Sequence, residues 1–156
     1  FLPFLQGAAG HRNNPNAKGT LLNIDLGTSR SQIARAVLEG ICFEMYDIIL
    51  AEEAAGIEIE EIRLTGGAAK SPFWCQMLAD MTGKKILLLQ TSETGCLGAA
   101  MYAGIGSGVY KDAQEAAGRA VKISKVYEPD PSKKAAYDEA FKSWTAAYEA
   151  LNERFY

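Results

Sequence analysis

The sequence predicts an α/β fold. Three observations carry this reading. Short apolar runs of strand length occur at Glu61–Thr65 and Lys85–Gln90, with a weaker one at Ile123–Tyr127. Between and around them, apolar residues recur at three- and four-residue spacing, the period of a helix with one buried face. Glycine-containing turns separate the two kinds of segment, as an alternation of strands and helices requires.

Taken in order, "FLPFLQG" opens the chain with an apolar cluster and no methionine, and predicts that residues precede it. Residues 7–19, "GAAGHRNNPNAKG", read as a loop. "TLLNI", Thr20–Ile24, reads as a short buried strand. A long helix is expected from Ser29, with Ile33, Val37, Leu38, Ile41, Met45 and Ile48 as its inner stripe and Gly56 as its stop. Arg35 and Glu39 lie four apart and predict a surface pair.

After the strand at Glu61–Thr65 comes a double glycine. Ser71 is placed to cap a helix whose first residue is Pro72. Phe73, Met77, Leu78 and Met81 form the expected apolar face, and Gly83 ends it. "KILLLQ" is apolar without alternation, as in a strand covered on both faces. From Glu93 to about Tyr102, Gly95, Gly98, Ala99 and Ala100 give a small-residue helix suited to a close neighbour; "GIGSG", Gly104–Gly108, is expected to break it. A short helix runs from Asp112 to about Val121. Tyr137, Phe141, Trp144, Tyr148 and Leu151 mark the core stripe of a last helix.

Composition bounds the function. The 156 residues suit one domain; 48% are hydrophobic and 22% charged, which fits a globular domain with a core. A net charge of −3 and the lack of a basic cluster argue against nucleic acid. No run is long enough to span a bilayer, and a cytoplasmic location is expected. Cys42, Cys75 and Cys96 are widely spaced among apolar neighbours and read as reduced, buried thiols. With one histidine, His11, and no Cys-x-x-Cys, no metal site is expected. His11 reads as a solvated loop residue or a substrate contact. Glu93 reads as charge compensation at a helix start or as a catalytic group.

The stretch "LTGGAAKSPFW", Leu64–Trp74, is the strongest candidate site. Gly66 and Gly67 fall at the carboxyl end of a strand and just before a helix, where α/β folds bind ligands. Glycine admits close backbone approach, and a helix start favours an anion. A tight turn needs glycine for geometry alone, so both readings stand at this level. The stretch is not a Walker A loop, because Ala69 rather than glycine precedes Lys70 and Ser71. Lys70 either neutralises phosphate or points to solvent; Ser71 is a cap that a nucleotide can also touch.

Several blocks taken together resemble the C-terminal domain of the FGGY carbohydrate kinases. They are "FLPFLQG…NPNAKG" at Phe1–Gly19, "TSRSQIARAVLEGICFEMYDII" at Thr28–Ile49, "LTGGAAKSPFWCQMLADMTGKKI" at Leu64–Ile86 and "ETGCLGAAMYAG" at Glu93–Gly104. Two departures are visible: Gly7-Ala8-Ala9 stands where many relatives have Gly-Glu-Arg, and Asn23 replaces a common glycine. The resemblance implies an actin-like ATPase (ribonuclease H-like) domain, a mixed sheet with helices on both faces. It implies that residues 1–156 are most of the nucleotide-side domain of a two-domain sugar kinase, whose N-terminal domain is a partner outside this chain. The cofactors implied are ATP and Mg2+, and the substrate a sugar or polyol, with xylulose first. Gly66, Gly67 and Ser71 would contact the nucleotide, supported by Ala68 and Lys70 and by the Gly95–Ala100 helix. The catalytic base would lie upstream of Phe1, so the chain alone is expected to be inactive and carries no catalytic residue. A homodimer stands among the expected assemblies. The competing reading is a non-catalytic actin-like nucleotide-binding regulatory or scaffold domain.

Overall fold

The computed structural model describes residues 1–156. The chain divides into two compact units, a subdivision that length cannot anticipate because one of them is assembled from three separate segments. The first comprises Phe1–Ile59, Asp80–Gly83 and Pro129–Tyr156; the second comprises Glu60–Ala79 and Lys84–Glu128.

The first unit is built on two 25-residue helices, α1 (Arg30–Ala54) and α5 (Pro131–Phe155). Ser29 caps α1 through a capping box: the Gln32 N–H donates to the Ser29 hydroxyl, and the Gln32 amide oxygen accepts from the Ser29 N–H. The helix ends in a Schellman motif. Gly56 takes φ +90°, its N–H donates to Glu53 O, and the Ile57 N–H donates to Glu52 O. Pro131 starts α5 behind Asp130, whose carboxylate accepts from the Ser132 N–H. Asp80, 2% exposed, accepts from the Asp130 N–H at 2.9 Å and from Lys133 Nζ at 2.9 Å, which compensates its burial.

The core of this unit is aromatic. Phe4 meets Tyr148 edge-on at 5.0 Å, and Tyr46 and Phe43 pack on Phe141 at 4.8 and 5.9 Å. Trp144 and Tyr148 are buried as the α5 stripe requires. The buried face of α1 is shifted from expectation. Cys42, Phe43, Tyr46 and Ile49 are buried, while Ile33, Val37, Leu38, Ile41, Met45 and Ile48 are only partly covered. The middle of α1 is apolar on most of its circumference, so periodicity alone does not fix the inward face; the aromatic partners on α5 do.

No strand forms at Thr20–Ile24. Thr20 exchanges backbone hydrogen bonds with Leu2, a single bridge, and the run then leaves the core: Leu22 and Ile24 are 44% and 53% exposed. Asn23 takes φ +59°, which interrupts an extended run. Asparagine is one of the few residues besides glycine that tolerate that region. Nor is residues 7–19 wholly irregular: Gly10–Arg12 form a 3-10 turn, and Ala8 bridges Asn14. His11 is no free loop residue, since its Nε2 lies 3.1 Å from Asp47. Arg12 makes the stronger contact, gripping both Asp47 oxygens at 2.6 and 3.0 Å with its guanidinium 4.2 Å from the Tyr148 ring centre.

The second unit carries a three-stranded sheet in the order β1 (Glu61–Leu64), β2 (Lys85–Leu89), β3 (Ile123–Tyr127). β1 and β2 run parallel, β2 and β3 antiparallel, so the sheet is mixed. Ile86 and Leu87 are neighbours on opposite faces and both are buried, as the unbroken apolar run of β2 predicts. The helix α2 (Pro72–Thr82) follows β1, and α3 (Thr94–Gly106) and α4 (Ala113–Ala120) lie between β2 and β3. Gly83, at φ +69°, follows α2 as its stop. On α2 the face is Cys75, Met77, Leu78 and Met81; Phe73, expected inside, is 54% exposed because it sits in the first turn beside the surface loop. α3 runs on through Gly104 to Gly106. A helix tolerates a glycine for about 1 kcal/mol, and the break comes at Ser107–Gly108, where φ is +79°. No close neighbour lies against Gly95 or Gly98: a Cβ there would meet nothing within 4 Å. Cys96 on this open helix is exposed, unlike the buried Cys42 and Cys75.

Candidate functional site

Parallel pairing puts the carboxyl ends of β1 and β2 on one side of the sheet, with Leu64 opposite Leu88. The segments leaving those ends, Thr65–Lys70 and Gln90–Ser92, form the walls of a cavity. Its volume is about 220 Å³, and it is lined by Leu64, Thr65, Gly66, Ala69, Lys70, Leu88, Leu89, Gln90, Thr91, Ser92 and Ser124. That is below the roughly 300–1,000 Å³ of sites that enclose a drug-sized ligand, so it suits one part of a larger molecule.

Gly66 turns the chain at φ +80°, a conformation that side chains other than glycine resist. The space over both Gly66 and Gly67 is open, with nothing within 4 Å of an added Cβ. Gly67 (φ −62°, ψ −39°) then opens a 3-10 turn, Ala68–Lys70, closed by the Lys70 N–H donating to Gly67 O at 3.1 Å. Ser71 is extended at φ −102°, ψ 106°, as a residue before proline prefers. Its hydroxyl accepts from the Trp74 N–H at 3.3 Å and its carbonyl accepts from the Cys75 N–H at 3.0 Å. Beneath the turn, the buried Cys75 thiol lies 3.8 and 3.7 Å from the carbonyls of Ala68 and Ala69. Burial pushes this thiol up from its ordinary value, so it stays protonated and able to donate.

Of the residues singled out from the sequence, Gly66 and Lys70 are on the cavity wall, with Ala69 between them; Gly67, Ala68 and Ser71 shape the turn behind it. Lys70 is the single charged side chain in the lining. Around it the walls mix apolar Leu64, Ala69, Leu88 and Leu89 with uncharged polar Thr65, Gln90, Thr91, Ser92 and Ser124. Glu93 accepts from the Ser92 hydroxyl at 3.1 Å and makes no side-chain cap for α3. It lines a second cavity of about 430 Å³ with Leu89, Gln90, Thr91, Cys96, Leu97, Ala120 and Lys122. The two cavities share Leu89–Thr91. Sequence reasoning missed that segment, and Ser124 with it. A polar end to an apolar strand, "LLLQTS", is the signal that marks it. No three His, Cys, Asp or Glu side chains gather into a metal-binding group, and no helix is long and apolar enough to cross a membrane.

A mixed sheet with a glycine turn at the strand ends is the arrangement of the actin-like ATPase fold, and solved sugar kinases superimpose on it. The gluconate kinase of Lactobacillus acidophilus matches with a TM-score of 0.87 at 28% identity, over 99% of this chain and 31% of that one. The glycerol kinase of Plasmodium falciparum, solved with ADP, matches with a TM-score of 0.78 at 27% identity, over 96% of this chain and 30% of that one. Residues 1–107 match the model of the FGGY family of carbohydrate kinases, C-terminal domain, and the chain belongs to that family. The xylulose kinase of Staphylococcus epidermidis is 32% identical over 153 residues, which are 98% of this chain and 31% of the relative. The chain thus spans about a third of the length of the curated relatives it matches.

Proposed function

We propose that this chain forms the nucleotide side of the cleft in an ATP-dependent sugar or polyol kinase. The observation that carries the reading is the open Gly66 turn over a cavity at the strand ends, in a chain of this family. The lining fits an adenosine moiety. Leu64, Leu88, Leu89 and Ala69 offer apolar walls to a flat base, Gly66 lets it approach the backbone, and Lys70 lies at the wall with its charge unpaired by any neighbouring carboxylate. Gly67, Ala68 and Ser71 hold the turn in shape, and Ser71 sits where a nucleotide reaching over the helix start would meet it.

Bound Mg–ATP supplies the transferable γ-phosphoryl group. The metal rides on the phosphates in this reading, since no side-chain cluster of this chain offers it a seat. The N-terminal domain of the same enzyme contributes the aspartate base and most sugar contacts, so the present chain positions and shields rather than abstracts a proton. Excluding water by closure protects ATP from hydrolysis.

The substrate proposed is a ketopentose, D-xylulose, consistent with xylulose kinases among the relatives. An assay of ADP release by the whole enzyme across D-xylulose, glycerol and gluconate tests this. The expected result is the highest kcat/KM with D-xylulose. A preference for glycerol or gluconate replaces the substrate and keeps the activity class. No turnover with any polyol, together with no ATP binding, overturns the proposal.

A further inference from the structure

We propose that Ser124 determines which nucleotide base this site accepts, its hydroxyl oxygen taking a hydrogen bond from the exocyclic amino group of adenine. The inference rests on the nucleotide-site reading above and goes beyond it to a residue outside the 1–107 family match.

β2 and β3 pair as Ile86 with Tyr127, Leu87 with Val126 and Leu88 with Lys125; the next pair is Leu89 with Ile123. Ser124 is skipped. It is the extra residue of a β-bulge, a device that re-aims one side chain out of the regular alternation. Here the side chain turns to the end of β2. Its Oγ lies 3.2 Å from Leu88 O and 3.0 Å from Leu89 O, and the residue lines the cavity that Gly66 opens.

A hydroxyl has one proton and two lone pairs. The two strand carbonyls, both acceptors, claim the proton. What Ser124 presents to a ligand is therefore acceptor character. Leu64, Leu88 and Leu89 flank it in the cavity wall, so an amino group placed against Ser124 is paired, whereas a ring carbonyl in the same place faces a lone pair and makes no bond. That separates the 6-amino purine from 6-oxo purines. The 2′ and 3′ ribose hydroxyls are the other donors ATP carries; ATP and inosine triphosphate share both, so their ratio reports the base alone, and 2′-deoxy-ATP reports the 2′ hydroxyl.

The experiment measures binding of ATP, inosine triphosphate and 2′-deoxy-ATP to the whole enzyme by calorimetric titration. Proteins compared are the wild type, Ser124→Ala, Ser124→Thr and Ala69→Trp, the last of which fills the cavity. The expected result is a preference of about tenfold for ATP over inosine triphosphate in the wild type, lost in Ser124→Ala and retained in Ser124→Thr, with the 2′-deoxy ratio unchanged throughout. Each ratio is internal to one protein, so a variant that is partly unfolded still reports. Equal binding of the two bases by the wild type overturns the inference, as does an unchanged ratio in Ser124→Ala, or a change confined to 2′-deoxy-ATP. In those cases loss of ATP binding in Ala69→Trp leaves the site reading standing. ATP binding that ignores Ala69→Trp, or no ATP binding at all, overturns both.

Discussion

The backbone of Gly40 lies against the carbonyl of Phe1: a Cβ on Gly40 would fall well inside van der Waals contact with that oxygen. Phe1 cannot easily yield. Its carbonyl accepts a hydrogen bond from Trp144 Nε1 at 2.9 Å, and Leu2 next to it is buried and bridged to Thr20. Gly40→Ala has two opposing effects. Helix propensity favours alanine by about 1 kcal/mol, and overpacking against fixed backbone costs about 1–3 kcal/mol. The clash is expected to win, with a lower urea midpoint; an unchanged or higher midpoint would show that the first residues move aside.

The two glycines of the candidate site should part company. Gly66 is at φ +80° and Gly67 at φ −62°, and both are open to an added Cβ. Gly66→Ala is expected to cost about 1–2 kcal/mol from the left-handed backbone alone and to weaken ATP binding. Gly67→Ala should leave the thermal midpoint where it is or raise it slightly. Equal destabilisation by both would contradict the turn described here.

Arg12 is not replaceable by lysine. Its two parallel bonds to Asp47 and its seat on Tyr148 both need a planar guanidinium. Arg12→Lys is expected to lower stability by about 1–3 kcal/mol through the lost charged hydrogen bond, and Arg12→Ala by more, because the mostly buried Asp47 carboxylate then keeps His11 alone as a salt-bridge partner. Denaturant midpoints for the two variants order the losses.

Glu44 supplies a pH test. Burial, and then the charge of Asp47, raises its carboxyl above the ordinary 4.5. Between that value and the raised one the folded state holds the proton that the unfolded state has released. Stability attributable to Glu44 therefore falls as pH rises through this window, and the full penalty is present once the pH is above the raised value. Glu44→Gln should raise the melting temperature at pH 7 and give little gain below pH 4.5. A gain independent of pH would point to some other cause.

Thiol labelling checks the burial of the cysteines. Cys96 should react in the native protein, and Cys42 and Cys75 only on unfolding.

Much of the fold is legible where one local rule decides. Ser71–Pro72 announces the start of α2, and the Tyr137-to-Leu151 stripe announces α5. The class follows from β1, β2 and β3. The failures share a cause: the outcome depends on a partner distant in sequence. "TLLNI" has strand composition, but only Thr20 finds a partner. The inner face of α1 is chosen by Phe141 and Trp144, a hundred residues away. The Gly66 side of the site was visible because glycine at a strand end is a local signal. Ser124 was not, because a bulge is a mismatch between two strands and neither strand shows it alone.

The tie between Phe1 and Trp144 is one of several joining residues 1–20 to the second half of α5 and the residue that follows it. Thr20 and Tyr156 share a hydroxyl hydrogen bond at 2.9 Å, and Asn14 donates to Asn152 at 2.6 Å. Such pairings have a history as well as a geometry. On a ribosome adding about 5–20 residues per second, Phe4 waits about 7–30 seconds for Trp144 and Tyr148 to be made. For that interval it stays uncovered beside Leu2 and Leu5, a stretch that a chaperone or another nascent chain can reach before its own helix arrives.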